Sequence, residues 1–553
     1  MSSPVCSPPH RRSQTARERI RARARLLALS GAVALGGPAG LASAEAQSRL
    51  PTLGDPASQD FSIATERQLG DAIMRQIRAD SDYLDDPVLL EYLEALLTPL
   101  VAQARLRGNI SADVDARLAW EPFLVRDRSV NAFALPGGYM GVHLGLIAMT
   151  TTRDELASVL AHELSHITQR HIARSVANSK HQSLVGLATL VAGVLVASRA
   201  GSSSGGALNA AILGSQALAV QGQLNFSRDM EREADRVGFA LLSGAGFAPG
   251  GMAAMFEKLD QSARLNDSGG FPYLRSHPLT SERIGEARAR MGPASEAAPL
   301  GPLAEPAQPV SALEHSAAQA RSHVMMDTRY DALRRWQALD SDPASTGAAD
   351  QLLNAYASAL ASTGLRDWSR ADASIAAALA VVRAGTTSQR PQGRPDARAE
   401  RAVVLLQVQS LLARGEALRA ERLLAPYLAQ GLRPELLLGA QIGLALGTVE
   451  GLRQHAAALQ TWVARHPGDS LAWTALSQLN ERLEQPLRAI RADAEARIAL
   501  GDLTGAADRL RAGQRRARSA GAVDFIEVSV IDARLRDVEA QRKKNEADEK
   551  AFK

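Results

Sequence analysis

Residues 161–166 read Ala-His-Glu-Leu-Ser-His, so His162 and His166 stand four apart with Glu163 between them. On a helix, residues i and i+4 lie one above the other on one face. Both imidazoles can then reach one Zn²⁺ at about 2.0–2.1 Å. Glu163 follows the first histidine and can hold the attacking water as general base. Leu156, Val159, Leu160, Leu164 and Ile167 recur with helical spacing around the motif, which places it on a helix. A hydrolytic zinc site needs a third protein ligand and an open fourth position. The one cysteine of the chain is Cys6, so a metal here must be held by His, Asp or Glu.

Candidates lie downstream. Glu231-Arg232-Glu233-Ala234-Asp235 sits in a helical pattern with Met230, Val237, Leu241 and Leu242. Glu231 and Asp235 form a second i, i+4 pair. One carboxylate can bind the metal, and the other can take the N–H of a ligating histidine and fix its tautomer. Glu233 lies about 200° around the helix from Glu231 and points elsewhere. Acids on a helix face usually only meet solvent, and the nearby metal motif is what favours the ligand reading. A third segment, His277-Pro278-Leu279-Thr280-Ser281-Glu282-Arg283-Ile284, brackets a helix start with a His and an Arg. Thr280 or Ser281 can cap that helix. Arg283 could steady the charge of a tetrahedral oxyanion, and His277 could approach the metal or the substrate. The plainer reading is a capping turn with a surface arginine. His171, five residues past His166, points off the metal face and reads as structural. His143 reads as ordinary. No H-x-x-G-x-x-H extension follows the motif, and the chain has no phosphate-binding glycine loop and no nucleophile elbow.

The elements that carry these residues are mostly helical. The chain has 553 residues, with 46% hydrophobic, 22% charged and only 4% aromatic residues. That is room for three to four domains of roughly 150 residues each. The net charge of +4 is concentrated at the start, where residues 1–44 hold seven arginines and one acid. The remainder has 56 basic and 58 acidic residues, a net −2, which argues against a nucleic-acid partner held by bulk charge. Arg11 to Arg25 is a basic run, Leu26–Leu35 is apolar, and Ala42-Ser43-Ala44 fits a small-x-small cleavage site. This order is that of a secretory signal over 1–46. Residues 62–104 read as helices, Leu118–Arg126 and Ala132–Val142 as short strands broken at Pro136-Gly137-Gly138, and 153–178 as helix. Two apolar stretches, Leu184–Ala197 and Ala207–Val220, are too short to span a bilayer. They read as a hairpin on the protein, with contact to a membrane surface as the alternative. Residues 226–290 are helical again. Pro, Ala and Gly dominate 292–312, which reads as a linker. From 313 to 540 the pattern is Ala/Leu/Arg helix, with turns near Gly364, Gly415, Gly447 and Gly501 that suggest a degenerate tetratricopeptide-like repeat. A charged tail, 541–553, follows.

His162-Glu163-x-x-His166, Ser227-Arg228-x-x-Glu231-x-Glu233-Ala234-Asp235 and His277-Pro278-x4-Arg283 together resemble the gluzincin peptidases of the HtpX type. The chain is most similar to their exported branch, the β-barrel assembly-enhancing proteases, in which a tetratricopeptide domain follows the peptidase. Asn131-Ala132-Phe133-Ala134-x-Pro136-Gly137-Gly138 resembles that family's strand beside the active site. The resemblance implies one Zn²⁺ on His162, His166 and Glu231, Glu163 as base and Asp235 as an acidic partner in the catalytic site. It places His277 near the metal, where a resting ligand and, together with Arg283, a transition-state contact are the two roles open to it. It further implies misassembled outer-membrane β-barrel proteins as substrates and the β-barrel assembly machinery as a partner through the repeats.

The reading is therefore an α+β, mainly α chain. A zincin-type metallopeptidase domain with a small sheet spans 47–291, and a helical repeat domain spans 313–540. The expected activity is that of a periplasmic zinc endopeptidase, associated with the outer membrane, with a chaperone-like role. Two rivals stand beside it: a periplasmic scaffold or chaperone whose metal site is mostly shut, and a membrane-surface protease held by the 184–220 hairpin.

Overall fold

Side-chain caps set the first helices. Ser62 accepts from the Thr65 amide ahead of α1 (Ile63–Arg78). After the two-residue strand β1 (Tyr83–Leu84), Asp86 accepts from Leu89 ahead of α2 (Pro87–Leu106), whose first position is proline. Ser111 does the same for α3 (Ala112–Arg117). The computed structural model describes residues 61–178, 227–265, 272–291, 310–341, 347–384, 396–519 and 524–551. The expected signal at 1–46, the hairpin at 184–220 and most of the 292–312 linker lie outside the described residues. Among the described residues no helix is long and apolar enough to cross a membrane.

A small sheet follows: β2 (Glu121–Val125), β3 (Ala132–Leu135) and β4 (Tyr139–His143). Its order is β1-β2-β4-β3. β2 pairs in parallel with β4, from Glu121↔Tyr139 to Val125↔His143. β3 pairs antiparallel with β4, Ala132 opposite Val142 and Leu135 opposite Tyr139, and forms one edge. The turn between β3 and β4 needs glycine: Gly137 and Gly138 have φ of 82° and 86°, a region closed to most side chains. The strand β1 falls inside a segment whose sequence reads as helix. Two residues are too few to leave a periodic signature, and β1 exists because it pairs with β2 at Tyr83↔Val125.

Beyond the sheet come α4 (Leu144–Met149), α5 (Arg153–Thr168), α6 (His171–Asn178), α7 (Arg228–Gly244), α8 (Gly250–Leu265), α9 (Pro272–Ser276) and α10 (Ser281–Arg290). α5 is the central helix, buried from Glu155 to Thr168 and packed on α2, α7, α8 and β3. The architecture is thus mainly helical with a small four-stranded sheet.

The second half is helical throughout the described residues: α11 (Ala312–Met325), α12 (Tyr330–Gln337), α13 (Ala348–Leu365), α14 (Trp368–Arg383), α15 (Ala397–Ala413), α16 (Ala417–Leu428), α17 (Arg433–Leu446), α18 (Val449–Arg465), α19 (Ser470–Arg482), α20 (Pro486–Leu500), α21 (Leu503–Ser519) and α22 (Phe525–Ala551). From α13 to α22 each helix packs on the next. α13 also touches α15, α15 touches α17 and α17 touches α19, so two-helix units stack. Gly447 and Gly501 end their helices in the left-handed conformation. Gly364 instead lies inside α13, and Arg366 takes the left-handed cap. α22 continues through the charged tail, held by Ile531, Leu535 and Val538.

Chain order divides the two halves more sharply than packing does. All described residues belong to one compact unit, Asp55–Lys553. α11 packs on α2 and α4, and Val310 and Ala318 join the core of the first half. Three arginines of the second half grip the start of α2. Arg321 donates to both oxygens of Asp86 at 2.8 and 2.7 Å. Arg401 holds Glu91 at 2.7 and 2.9 Å, and Arg433 holds Asp85 at 2.7 and 2.8 Å. Arg321 and Asp86 are both buried. Removing one partner of such a pair leaves an uncompensated charge and costs about 3–5 kcal/mol. Asp86→Ala, which also removes the α2 cap, is therefore expected to lower stability by about that amount in urea unfolding followed by circular dichroism. A loss under about 1 kcal/mol, the range of exposed pairs, would show that Arg321 is not held in this way.

Candidate metal centre

α5 is fixed at both ends. Thr152 accepts from the Glu155 amide at 3.2 Å, and the Glu155 carboxylate accepts from the Thr151 amide at 2.7 Å. The far end stops at Arg170, whose φ is 51°. Few non-glycine residues adopt that conformation, and here the buried Arg170 side chain is anchored to Glu66 at 3.1 Å and to the Phe61 carbonyl at 2.7 Å. Between these ends His162 and His166 share one face, with their Nε2 atoms 3.0 Å apart.

α7 lies directly against that helix. A Cβ on Gly238 would stand 3.1 Å from the Ala161 carbonyl oxygen, tighter than ordinary contact. The missing side chain lets the two backbones meet, which brings the carboxylates of α7 to the imidazoles of α5. The Glu231 oxygens lie 3.5 Å from His162 Nε2 and 3.5 Å from His166 Nε2. Asp235 Oδ1 lies 3.0 Å from His162 Nδ1, on the other side of the ring. Glu231 and Asp235 thus face the histidines together. Glu233 faces away from them, 3.2 Å from His171 Nε2 and 2.8 Å from Arg174. His171 Nδ1 in turn lies 2.9 Å from His166 Nδ1.

The third segment closes the cluster. His277 Nδ1 is 2.9 Å from Glu231 Oε1, its Nε2 is 3.4 Å from Glu163 Oε1, and its ring packs on Tyr273. Thr280 caps α10 through the Arg283 amide. The Arg283 side chain is buried and donates to both oxygens of Asp235 at 2.7 and 2.8 Å. Its Nη1 reaches the Pro278 carbonyl and Glu231 Oε2, each at 2.9 Å. All three of its nitrogens therefore face acceptors of the protein. Glu163 lies buried beside the edge strand β3, where the Ala134 amide donates to its Oε2 at 3.0 Å.

The electrostatics hold positive charge at His162 and oppose it at His166, which burial and the neighbouring imidazoles of His162 and His277 lower well below the usual range. Burial works against a charge on His162, but Asp235 and Glu231 push its pKa up to about 10. Burial also opposes ionisation of Glu231, yet His277 and His162 hold its carboxyl far below the usual range. Asp235 is likewise lowered, against burial, by Arg283 and His162. Glu163 is raised by burial. Burial brings His171 down to about 4. One ligand atom from each of His162, His166, Glu231 and His277 lies within 4.8 Å of the others. Glu163 Oε1 is buried without a hydrogen bond. Two imidazoles and a carboxylate are the donor set of a His₂Glu zinc site, and the residues present fit that ion.

Sequence spacing finds the four converging residues and Asp235, but not what surrounds them. His171 would stand off the metal face of a continuous helix, and the break at Arg170 turns it back onto His166. Gly238 carries no chemistry and is visible only through the helix contact it permits. The Ala134 amide is a backbone group, and strand placement alone brings it to Glu163.

Peptidase family M48 matches residues 99–291. A putative beta-barrel assembly-enhancing protease of Vibrio cholerae is 39% identical over 241 residues, 44% of this chain and 47% of that protein. The beta-barrel assembly-enhancing protease of Escherichia coli strain K12 is 32% identical over 249 residues, 45% of this chain and 48% of that protein. The match spans about half the length of these two relatives. The metalloprotease LoiP of Escherichia coli strain K12 is 30% identical over 274 residues, 49% of this chain and 98% of that protein. With nearly the whole of that metalloprotease aligned, and with the histidines and carboxylates of the family's motifs brought together in space, the chain belongs to peptidase family M48.

Proposed function

We propose that the chain is a zinc-dependent endopeptidase of the periplasm that acts on misassembled outer-membrane β-barrel proteins. The observation that carries the peptidase reading is the convergence of His162, His166 and Glu231 beside Glu163 at the edge strand β3. The names of the relatives support the class of substrate. The signal-like order of residues 1–46 supports export. In this reading the stacked helices after residue 347 are tetratricopeptide-like repeats that dock the assembly machinery.

Zinc on His162, His166 and Glu231 would supply Lewis acidity to the scissile carbonyl and to water. The protein's own groups do the rest. An extended substrate pairs with the free edge of β3, adding a strand to the sheet. Glu163, oriented by the Ala134 amide, takes a proton from the attacking water and later delivers it to the leaving amine. Asp235 accepts from Nδ1 of His162 and keeps Nε2 bare for the metal. Arg283 positions Asp235 and Glu231, a role that engages its Nε and both of its Nη groups. His277, whose ligand atom lies within 4.8 Å of those of His162, His166 and Glu231, would be the fourth group to hold the ion at rest.

Two outcomes test this division of labour. His166→Ala and Glu231→Gln should lose zinc, whereas Glu163→Gln should retain it and cut peptide hydrolysis by about 10²–10⁴-fold. Metal analysis beside a casein-cleavage assay reads both, and an active Glu163→Gln protein would remove the general base from the mechanism. His277→Ala, compared with wild type at matched zinc occupancy, should cleave a flexible peptide faster in a single turnover. A slower rate would make His277 a transition-state contact instead, and an unchanged rate would exclude it from both roles.

A further inference from the structure

We propose that Glu233 and His171 form a proton-ordering relay that fixes the tautomer of His166, making His171 a positioning residue of the metal site. This rests on the zinc reading above and deepens it. The contacts form a chain: Arg174 to Glu233 at 2.8 Å, Glu233 to His171 Nε2 at 3.2 Å, and His171 Nδ1 to His166 Nδ1 at 2.9 Å.

The logic is one of counting protons. A neutral imidazole has one N–H and one bare nitrogen. His166 turns Nε2 toward Glu231 and His162, so it can ligate only if its proton sits on Nδ1. That Nδ1 faces another imidazole nitrogen, and the short contact can hold only one hydrogen. If His171 donated it, His166 would carry its proton on Nε2 and could not bind the metal. The far side of His171 decides between the two arrangements. Glu233, paired with Arg174, is a carboxylate and can only accept. His171 must therefore hold its proton on Nε2, which leaves its Nδ1 bare to accept from His166.

The arrangement matches the one on the other ligand. His162 Nδ1 faces Asp235 directly at 3.0 Å, with Arg283 behind that carboxylate, and His166 faces Glu233 at one remove, with Arg174 behind it. Glu233 faces away from the metal side of α7, and the interposed imidazole spans the gap. On a straight helix His171 would stand about 140° around from His166. The left-handed turn at Arg170, anchored to Glu66 and Phe61, restarts the chain as α6 and returns His171 to the ring. His171 is fully buried.

The test uses the full chain and two measurements, zinc affinity by chelator competition and ¹⁵N chemical shifts of the histidine rings in the zinc-loaded protein. The wild-type spectrum should show His166 protonated on Nδ1 and His171 on Nε2. His171→Phe keeps ring volume and removes the acceptor, and should weaken zinc binding by about 10- to 100-fold. His171→Asn returns an amide oxygen near the Nδ1 position and should recover most of that loss. Glu233→Gln replaces a group that can only accept by one that can also donate, and should weaken zinc by about 10-fold. Wild-type zinc affinity in His171→Phe, or a proton on His171 Nδ1 in the wild-type spectrum, overturns the relay while leaving the zinc reading intact. A wild-type protein that binds no zinc fails the zinc reading itself, before any variant is made. Should His171→Phe not fold, the wild-type spectrum and Glu233→Gln decide the matter.

Discussion

Carboxylates buried together are costly unless positive charge meets them, and this chain buries Glu163, Glu231 and Asp235 around three imidazoles. Arg283 supplies a fixed cation to two of them. The remaining negative charge is matched only by histidines that would otherwise stay neutral in such a place, which is why a divalent cation suits the cluster. The helix contact makes the cluster possible. Without the close approach at Gly238, Glu231 and Asp235 would stand back from α5, and the two pairs of i, i+4 residues would remain two unrelated helix faces.

The same central helix connects the metal cluster to the rest of the molecule. α5 packs on α2, and the start of α2 receives Arg321, Arg401 and Arg433 from the second half. Arg401 and Arg433 also hold an acid of their own half, Glu435 at 2.7 Å and Asp469 at 2.7 Å. Each of these two guanidiniums is therefore satisfied from both sides, in the bidentate geometry that makes such pairs directional. The consequence is mechanical. The stacked helices are seated on the element that packs against the metal-binding helix, not tethered at the end of a free linker.

How much of this could be read in the sequence follows from the range of each signal. The His162–His166 and Glu231–Asp235 pairs are legible because helical spacing alone places them on common faces. The caps at Ser62, Asp86 and Thr280 are legible for the same local reason. Glycine turns at Gly447 and Gly501 show themselves because left-handed φ excludes most other residues. What spacing cannot carry is contact between distant segments. That Arg283 binds Asp235 through both Nε and Nη2 of its guanidinium is not visible from spacing. His171 reads as structural until the chain break at Arg170 is seen. The 292–312 segment reads as a domain boundary from composition, yet α11 just beyond it packs into the first half, because Val310 and Ala318 find apolar partners there that composition does not reveal.

Access to the site follows from the relative strength of the contacts that close it. Glu163 is 0% exposed, and His162 and His277 are 1% and 2% exposed. A polypeptide therefore reaches Glu163 only when some side chain withdraws. Arg283 is a poor candidate, since it would have to give up two charge-assisted bonds to Asp235 and an ion pair to Glu231. The Glu231 and Asp235 backbones belong to α7, which Gly238 seats directly on α5. His277 meets Glu231 by one short contact, Glu163 and His162 by longer ones, packs on Tyr273 and donates its amide to the Tyr273 carbonyl. It also stands between α9 and α10, where the chain is in no helix. Unlike Arg283, Glu231 and Asp235, it is carried outside any helix, and that sets it apart among the groups around Glu163. In the proposed opening at His277, Asp235, Arg283 and the His166–His171 contact stay in place, so the geometry of the cluster would survive that motion.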